Sequence, residues 1–480
     1  MEAMKLAGLE PASVFGYFEQ ICAIPHGSGN TKGISDYLVS FAREQGLKYI
    51  QDEANNVILF AEGTRGMEDH EPVILQGHMD MVCEKARDCD IDMASEGLDV
   101  RQDGRFVFAK GTTLGGDDGV AVAFVLALMA DRSIPHPPLE AILTVDEEIG
   151  MLGADKIDLS QLKGRVLINL DSEDEGVFTV SCAGGALVTI SLPVERRAVY
   201  GPCIRLTVDG LRGGHSGAEI HKNRANANKV MGELLSRIQK IMPLCLTSLA
   251  GGTKDNAIPQ SCQATAVAMG IHLERINTIA AELQAEIRET YDEPEALIQA
   301  FDVDALGGNS LTTESTDKVV GLLCAAPNGV QAWSKDIEGL VQTSLNLGIA
   351  KLGERFSACF SVRSSINTEK QELLEQLKTL AGFYEASYSQ SGEYPAWEYR
   401  KDSRLRDTMV RVYREMFGRE PQVLAIHAGL ECGILGEKLP GLDCVSIGPQ
   451  MHDIHTSREK LDVASTERTW RFLLEVLKTL

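Results

Sequence analysis

Short runs of valine, isoleucine and leucine that stop abruptly at an acid or a histidine constrain this chain more than any other feature. Val-Ile-Leu-Gln-Gly-His-Met-Asp (73–80), Leu-Thr-Val-Asp-Glu-Glu-Ile-Gly (143–150) and Val-Leu-Ile-Asn-Leu-Asp (166–171) are all of this kind. Gly-Thr-Thr-Leu-Gly-Gly-Asp-Asp-Gly (111–119) sets two aspartates at the head of an apolar segment. Runs so short and so rich in β-branched residues read as strands. Where such strands alternate with helices the sheet is largely parallel, and active sites form at the carboxyl ends of its strands.

The first third of the chain keeps that alternation. Residues 31–46 have helical periodicity, with Ile34, Leu38 and Phe41 on one face and Gly46 as the stop. Strands are predicted at 56–61, 73–77, 139–145 and 166–170, with a helix over 118–131. After Cys182-Ala-Gly-Gly the character changes. Strands at 186–192, 203–209, 341–349 and 355–363 mix with helices near 223–242, 273–291 and 369–384, an α+β pattern inserted into the first domain. Residues 397–480 return to helix, strand (443–447) and a final helix. The expected fold class is therefore α/β with two domains: a mixed, mainly parallel sheet with flanking helices, plus an inserted α+β domain. A chain of 480 residues exceeds one ordinary core.

Composition excludes several function classes. The net charge of −23 and the absence of a basic cluster argue against nucleic acid and anionic membrane surfaces. The longest apolar stretch, Gly119 to Ala130, is too short to cross a bilayer. The amino terminus has no basic segment followed by an apolar core, so no secretory signal is expected. The 11 cysteines are scattered and never spaced as Cys-x-x-Cys. Reduced thiols in a cytoplasmic protein follow.

The residue types at the run ends suit metal chemistry. On a strand, residues i and i+2 point the same way, so His78 and Asp80 can share a site. A metal-bound imidazole is usually fixed by a carboxylate on its other nitrogen, which casts Asp80 as the partner of His78. Asp117 and Asp118 can be helix caps; that reading suits Asp118, whereas Asp117 is the better candidate for bridging two cations. Spacing alone does not decide which of the two faces the site. Adjacent Glu147 and Glu148 repel each other, and a cation relieves that cost. If one binds metal, the other can serve as general base. Asp171 repeats the acid at a strand edge. His455 and His452 compete within one polar loop. Farther along, His215 lies between glycines, Asn256 precedes Ala-Ile-Pro, and Arg363 is of the type that holds a carboxylate bidentately.

Taken together, these segments resemble the zinc-dependent amidohydrolase and peptidase superfamily that includes carnosinase and glutamate carboxypeptidases, and within it the aminoacyl-histidine dipeptidases. Further matching segments are Ile24-Pro-His, Gly213-Gly-His-Ser-Gly-Ala-Glu-Ile-His, Gly251-Gly-Thr-x-x-Asn-Ala-Ile-Pro, Pro327-Asn-Gly-Val, Thr343-Ser-Leu-Asn and Ile426-His-Ala-Gly-Leu-Glu-Cys-Gly. The resemblance implies that His78 and Asp171 complete one metal, Glu148 and His455 the other, and that Asp117 bridges them. Glu147 would be the general base and Asp80 the residue orienting His78. Asp118 falls on a position often occupied by asparagine, and His452 becomes a bystander. His215 matches a lid histidine that steadies the oxyanion, while Asn256 and Arg363 match lid positions near the substrate backbone and its carboxylate. The implied architecture is a catalytic domain from 1–184 and 397–480, with a lid and dimerisation domain over 185–396.

The function so implied is a cytoplasmic dipeptidase acting on unblocked dipeptides, Xaa-His included, with two divalent metals, zinc first and cobalt or manganese as alternatives. A bridging hydroxide would attack the peptide carbonyl after Glu147 takes the proton. A homodimer formed through the lid is also implied. The nearest rival is an N-acyl amino acid amidohydrolase using the same chemistry. A catalytically silent binding protein is the rival from another class.

Overall fold

The computed structural model describes residues 5–268, 273–303 and 307–480. Residues 1–4, the start of the segment read above for a leader, lie outside the described residues. Among the described residues no helix is long and apolar enough to cross a membrane.

Two compact units are present, each with its own sheet. The first comprises 5–181, Tyr399–Ala425 and Leu430–Leu480. Its eight-stranded sheet runs in the order Lys48–Gln51, Val57–Ala61, Leu139–Thr144, Val73–His78, Val166–Asn169, Asp443–Ser446, Val177–Cys182, Gln422–Ile426. Leu139–Thr144, Val73–His78, Val166–Asn169 and Asp443–Ser446 are mutually parallel, while Val57–Ala61 joins antiparallel. The mainly parallel α/β class expected from the alternating runs is what forms. Every residue of Val73–His78 and of Leu139–Thr144 is buried. Covering a parallel sheet on both faces demands such unbroken apolar runs.

The helix Gly116–Ala130 explains its own composition. Gly116 to Met129 are all buried, as a helix apolar all round must be. It packs against the strand Val73–His78 and the helix Ala12–Cys22, and Phe124 stacks on Trp470 at 5.6 Å. Helix Lys32–Gln45 ends at Gly46, which adopts φ 68° as the left-handed cap.

The second unit comprises 182–398, in its described residues, together with 426–429. Its principal sheet is antiparallel in every registered pair, and includes Cys203–Asp209, Cys262–Ala268, Leu244–Gly251, Val341–Leu352, Arg355–Ser364 and Gly184–Pro193. Helices Ala227–Gln239 and Asn367–Phe383 pack on it, closing one core that includes Ile190, Leu206, Leu234, Leu347, Phe360 and Leu377. The helix predicted from 223 starts at Ala227, because Asn226 caps it by accepting from the Asn228 and Lys229 amides. The strands Leu244–Gly251 and Cys262–Ala268 were not anticipated; their Ser, Thr and Gly residues blur the alternation.

One close approach fixes the sheet against its buried helix. A Cβ at Gly77 would lie 2.5 Å from Asp118 Oδ2 and 2.6 Å from Ala121 Cβ. Gly77→Ala is expected to lower stability by about 1–3 kcal/mol, the usual cost of overpacking. Urea denaturation of chelator-treated protein measures this; an unchanged midpoint would contradict the packing.

Candidate active site

Register brings the run ends together. His78 stands opposite Thr144, and Gln76 opposite Asn169. Two residues past Asn169, Asp171 is therefore level with His78, and Glu147 and Glu148 follow Thr144 at the same carboxyl edge. Asp117 enters from the head of the buried helix and His455 from the loop after Asp443–Ser446. His455 and Asp453 adopt φ 57° and 52°, a sharp turn that presents the ring.

All seven candidates of the first unit converge. Asp117 lies between the imidazoles: Oδ1 is 3.0 Å from His78 Nε2 and Oδ2 is 3.1 Å from His455 Nε2. His455 Nε2 also meets Glu148 Oε1 at 2.8 Å, and Asp171 Oδ1 lies 3.8 Å from His78 Nε2. Three donor groups have ligand atoms within 4.8 Å of one another: His78, Asp118 and Asp171; His78, Glu147 and Glu148; Asp117, Glu148 and His455.

Asp80 departs in detail from its expected contact. His78 Nδ1 lies 2.9 Å from the main-chain carbonyl of Asp80, and its carboxylate is farther away at 3.4 Å. That carboxylate is engaged elsewhere, accepting from Ser28 Oγ at 2.8 Å and from the amides of Glu147 at 3.1 Å and Glu148 at 3.4 Å. It ties the strand carrying His78 to the turn carrying both glutamates. Asp118 is a correction. It makes no cap hydrogen bond; instead it is fully buried and accepts from the His78 amide at 3.2 Å. His452 packs edge-on against Phe106 at 5.6 Å, so the loop contributes His455 alone.

The electrostatics suit a cation pair. Burial, reinforced by Asp171, pushes the Asp118 carboxyl well above its usual range. Burial likewise raises Glu147, with Asp171, Glu431 and Glu148 adding repulsion, and raises Asp171, with Asp117, Glu431 and Glu148 adding theirs. Asp117 is held well below the usual range, because His455 and His78 outweigh its burial. Asp117 and Glu148 push His455 up to about 10. For His78, burial is outweighed by Asp117, Asp80 and Asp171, which hold it well above the ordinary value. Carboxylates and two imidazoles in this density form a donor set that fits two divalent ions.

Within the second unit, His215, Arg363 and His427 surround Gly217: a Cβ there would lie 2.7 Å from the His427 carbonyl, 3.1 Å from His215 Cε1 and 3.2 Å from Arg363 Nε. His215 Nδ1 accepts from the amides of Gly217 at 3.2 Å and Ala218 at 3.0 Å. With Nδ1 fixed as acceptor, the neutral ring carries its proton on Nε2 and is a donor there. Burial and the neighbouring Arg363 lower its pKa, which keeps it neutral. Arg363 donates to Tyr394 Oη at 3.3 Å. Asn256 is exposed, in the turn before the strand Ala257–Ile258 that pairs with Gly214–His215.

Comparison with known proteins is decisive. The model of peptidase family M20/M25/M40 matches residues 74–479. This chain belongs to that peptidase family. The cytosol non-specific dipeptidase of Escherichia coli (strain K12) is 35% identical over 478 residues, covering 99% of each chain. The crystal structure of aminoacylhistidine dipeptidase from Vibrio alginolyticus, 34% identical, superimposes with a TM-score of 0.93 over 99% of this chain and 98% of that one. Aminopeptidase PepT from Bacillus cereus shares the fold, with a TM-score of 0.56 at 15% identity and 98% of each chain covered.

As a member of the M20/M25/M40 family the chain is a hydrolase, and several of its motifs acquire physical meaning. Asn346 Nδ2 donates to the Asp255 and Ala257 carbonyls at 3.2 and 2.9 Å, holding the turn that bears Asn256. Asn328 Oδ1 accepts from the Leu347 amide at 2.9 Å. Two residues near the acids carried no expectation. Ser28 holds Asp80, as described. Glu431 is fully buried, accepts from Gln76 Nε2 at 2.5 Å and Thr144 Oγ1 at 2.6 Å, and is pushed up to about 7 by burial. A lone acid amid the apolar 426–433 segment was the available signal for Glu431; Ser28 had none.

A cation bound here would replace protons. Neighbouring carboxylates push His455 up to about 10 and hold His78 well above its ordinary value, so a cation taken up by these rings would compete with their protons. Adding zinc to chelator-treated protein at pH 7 is expected to release at least about one proton per chain, read with an indicator dye in weak buffer. Zinc uptake without net proton release would contradict these charge states.

Proposed function

We propose that this chain hydrolyses the peptide bond of unblocked dipeptides, Xaa-His among them, with two divalent metal ions, zinc first among the candidates. The observation that carries this reading is Asp117, whose two carboxylate oxygens each face a different imidazole. A carboxylate so placed would compensate two cations at once. His78 and Asp171 would complete one metal site, Glu148 and His455 the other. When bound, the pair would supply Lewis acidity and a water acidic enough to be activated near neutral pH.

The chain's own groups account for the proton. Glu147 lies half-buried at the same strand edge, and desolvation together with Asp171, Glu431 and Glu148 raises its proton affinity. That suits a general base. It takes a proton from the attacking water as the new C–O bond forms, then passes it to the amine nitrogen as the C–N bond breaks. Asp80 orients His78 and, through the Glu147 and Glu148 amides, holds the base in place. His215 offers a neutral Nε2–H donor of the kind that stabilises a developing oxyanion. Arg363 is suited to the substrate carboxylate, and Asn256 to the substrate backbone. The second unit would then serve as lid over 185–396, with the remainder as catalytic domain.

Homodimerisation through the lid belongs to the same proposal; Leu297 and Phe301 expose apolar side chains on one edge strand of its sheet. A cytoplasmic location is supported by the cytosolic relative.

Glu147→Gln is expected to lower kcat on an Xaa-His dipeptide by about 100- to 10,000-fold, with metal content unchanged. Near-normal turnover would contradict the base assignment. Faster cleavage of an N-acetyl amino acid than of the dipeptide would make the chain a deacylase instead.

A further inference from the structure

The loop that delivers Asp117 is gripped by a carboxylate that the reaction above does not use. Glu459 lies four residues beyond His455 and is 3% exposed. Its Oε2 accepts from the amides of Leu114 at 2.7 Å and Gly115 at 3.2 Å. Its Oε1 accepts from those of Gly116 at 2.8 Å and Asp117 at 3.4 Å. Four consecutive amides thus point at one carboxylate, at the head of the buried helix, where unpaired N–H groups and the helix dipole both favour an anion. Gly115 makes the curl possible: it adopts φ 68°, and a Cβ there would lie 2.9 Å from Met81 Sδ.

Glu459 is itself anchored at both ends. Its amide donates to the Thr456 carbonyl at 3.1 Å, closing the turn after His455. The strand Lys460–Asp462 that follows pairs with Phe106–Ala109, which leads into the same Asp117 loop. One side chain therefore references the loop bearing Asp117 to the turn bearing His455. No other side chain among the described residues holds those four amides.

We propose that Glu459 is a positioning residue for the metal pair: by fixing the Asp117 main chain against the His455 turn, it sets the carboxylate between the two imidazoles. This rests on reading Asp117 as the shared ligand. Glutamine at 459 keeps the volume but replaces one accepting oxygen with a donor facing amides, so at least two of the four bonds are lost. The loop then relaxes, and Asp117 no longer faces both rings from one position. All five proposed metal donors remain.

The test pairs Glu459→Gln with Gly116→Ala, whose added Cβ would press on Glu459 Oε1 at 3.2 Å. Zinc affinity is measured by competition with a chromogenic chelator, kcat and KM on an Xaa-His dipeptide, and the unfolding midpoint on metal-free protein. Each variant is expected to lose about 10- to 100-fold in affinity for at least one of two zinc ions, with a comparable loss of kcat. KM is expected to stay within about threefold, because the substrate-binding groups are untouched. Wild-type zinc affinity in the folded variants overturns the proposal. So does a lowered metal-free midpoint with unchanged zinc affinity and kcat, which is the mark of a merely structural role. If Glu459→Gln does not fold, Gly116→Ala decides by the same criteria. A wild-type protein binding fewer than two zinc ions would instead sink the shared-ligand reading beneath it.

Discussion

Asp117 meets His78 with one carboxylate oxygen and His455 with the other, and most of the first unit is arranged to make that contact persist. The aspartate stands at the head of a helix with no exposed face, so it cannot slide or rotate without disturbing the core. His78 ends a buried parallel strand and is held by its own amide through Asp118 and by its ring through the Asp80 carbonyl. His455 lies 338 residues from Asp117 in sequence, and only the closed fold joins them.

Gathering acids in this way opposes ordinary burial. Asp118, Glu147 and Asp171 are all pushed upward by desolvation and by one another. Charges so confined are tolerated when counter-charge is at hand. Two imidazoles supply part of it, and the proposed cation pair supplies more while displacing their protons. Beneath the strand ends, Glu431 adds a further acid, bonded to Gln76 and Thr144. Asn169 in turn donates to Gln76. Such a network fixes the level of the strand ends below the site.

Much of this was legible in the sequence because parallel strands announce their carboxyl ends. His78, Glu147, Glu148 and Asp171 each follow an apolar run, so one sheet edge had to collect them. Asp117 against Asp118 was not legible from spacing: both head the same helix, and a cap is the commoner role for either. The structure separates them by direction, one toward the imidazoles and one onto the His78 amide. The His78 ring partner differed for a related reason, since a main-chain carbonyl leaves no trace in residue identity. Ser28 and Glu459 went unseen because their partners are far away or are backbone amides. In the second unit, alternation exposed the strands over 186–192 and 203–209, whereas Leu244–Gly251 and Cys262–Ala268 carry too many small and polar residues to stand out.

One carboxylate, that of Asp117, is proposed to be shared by two metal ions. Equilibrium dialysis of wild-type and Asp117→Asn protein against zinc, with bound metal counted per chain, tests it most directly. Two ions are expected on the wild type, and the loss of at least one on the variant. Two ions retained by Asp117→Asn with undiminished affinity would contradict it.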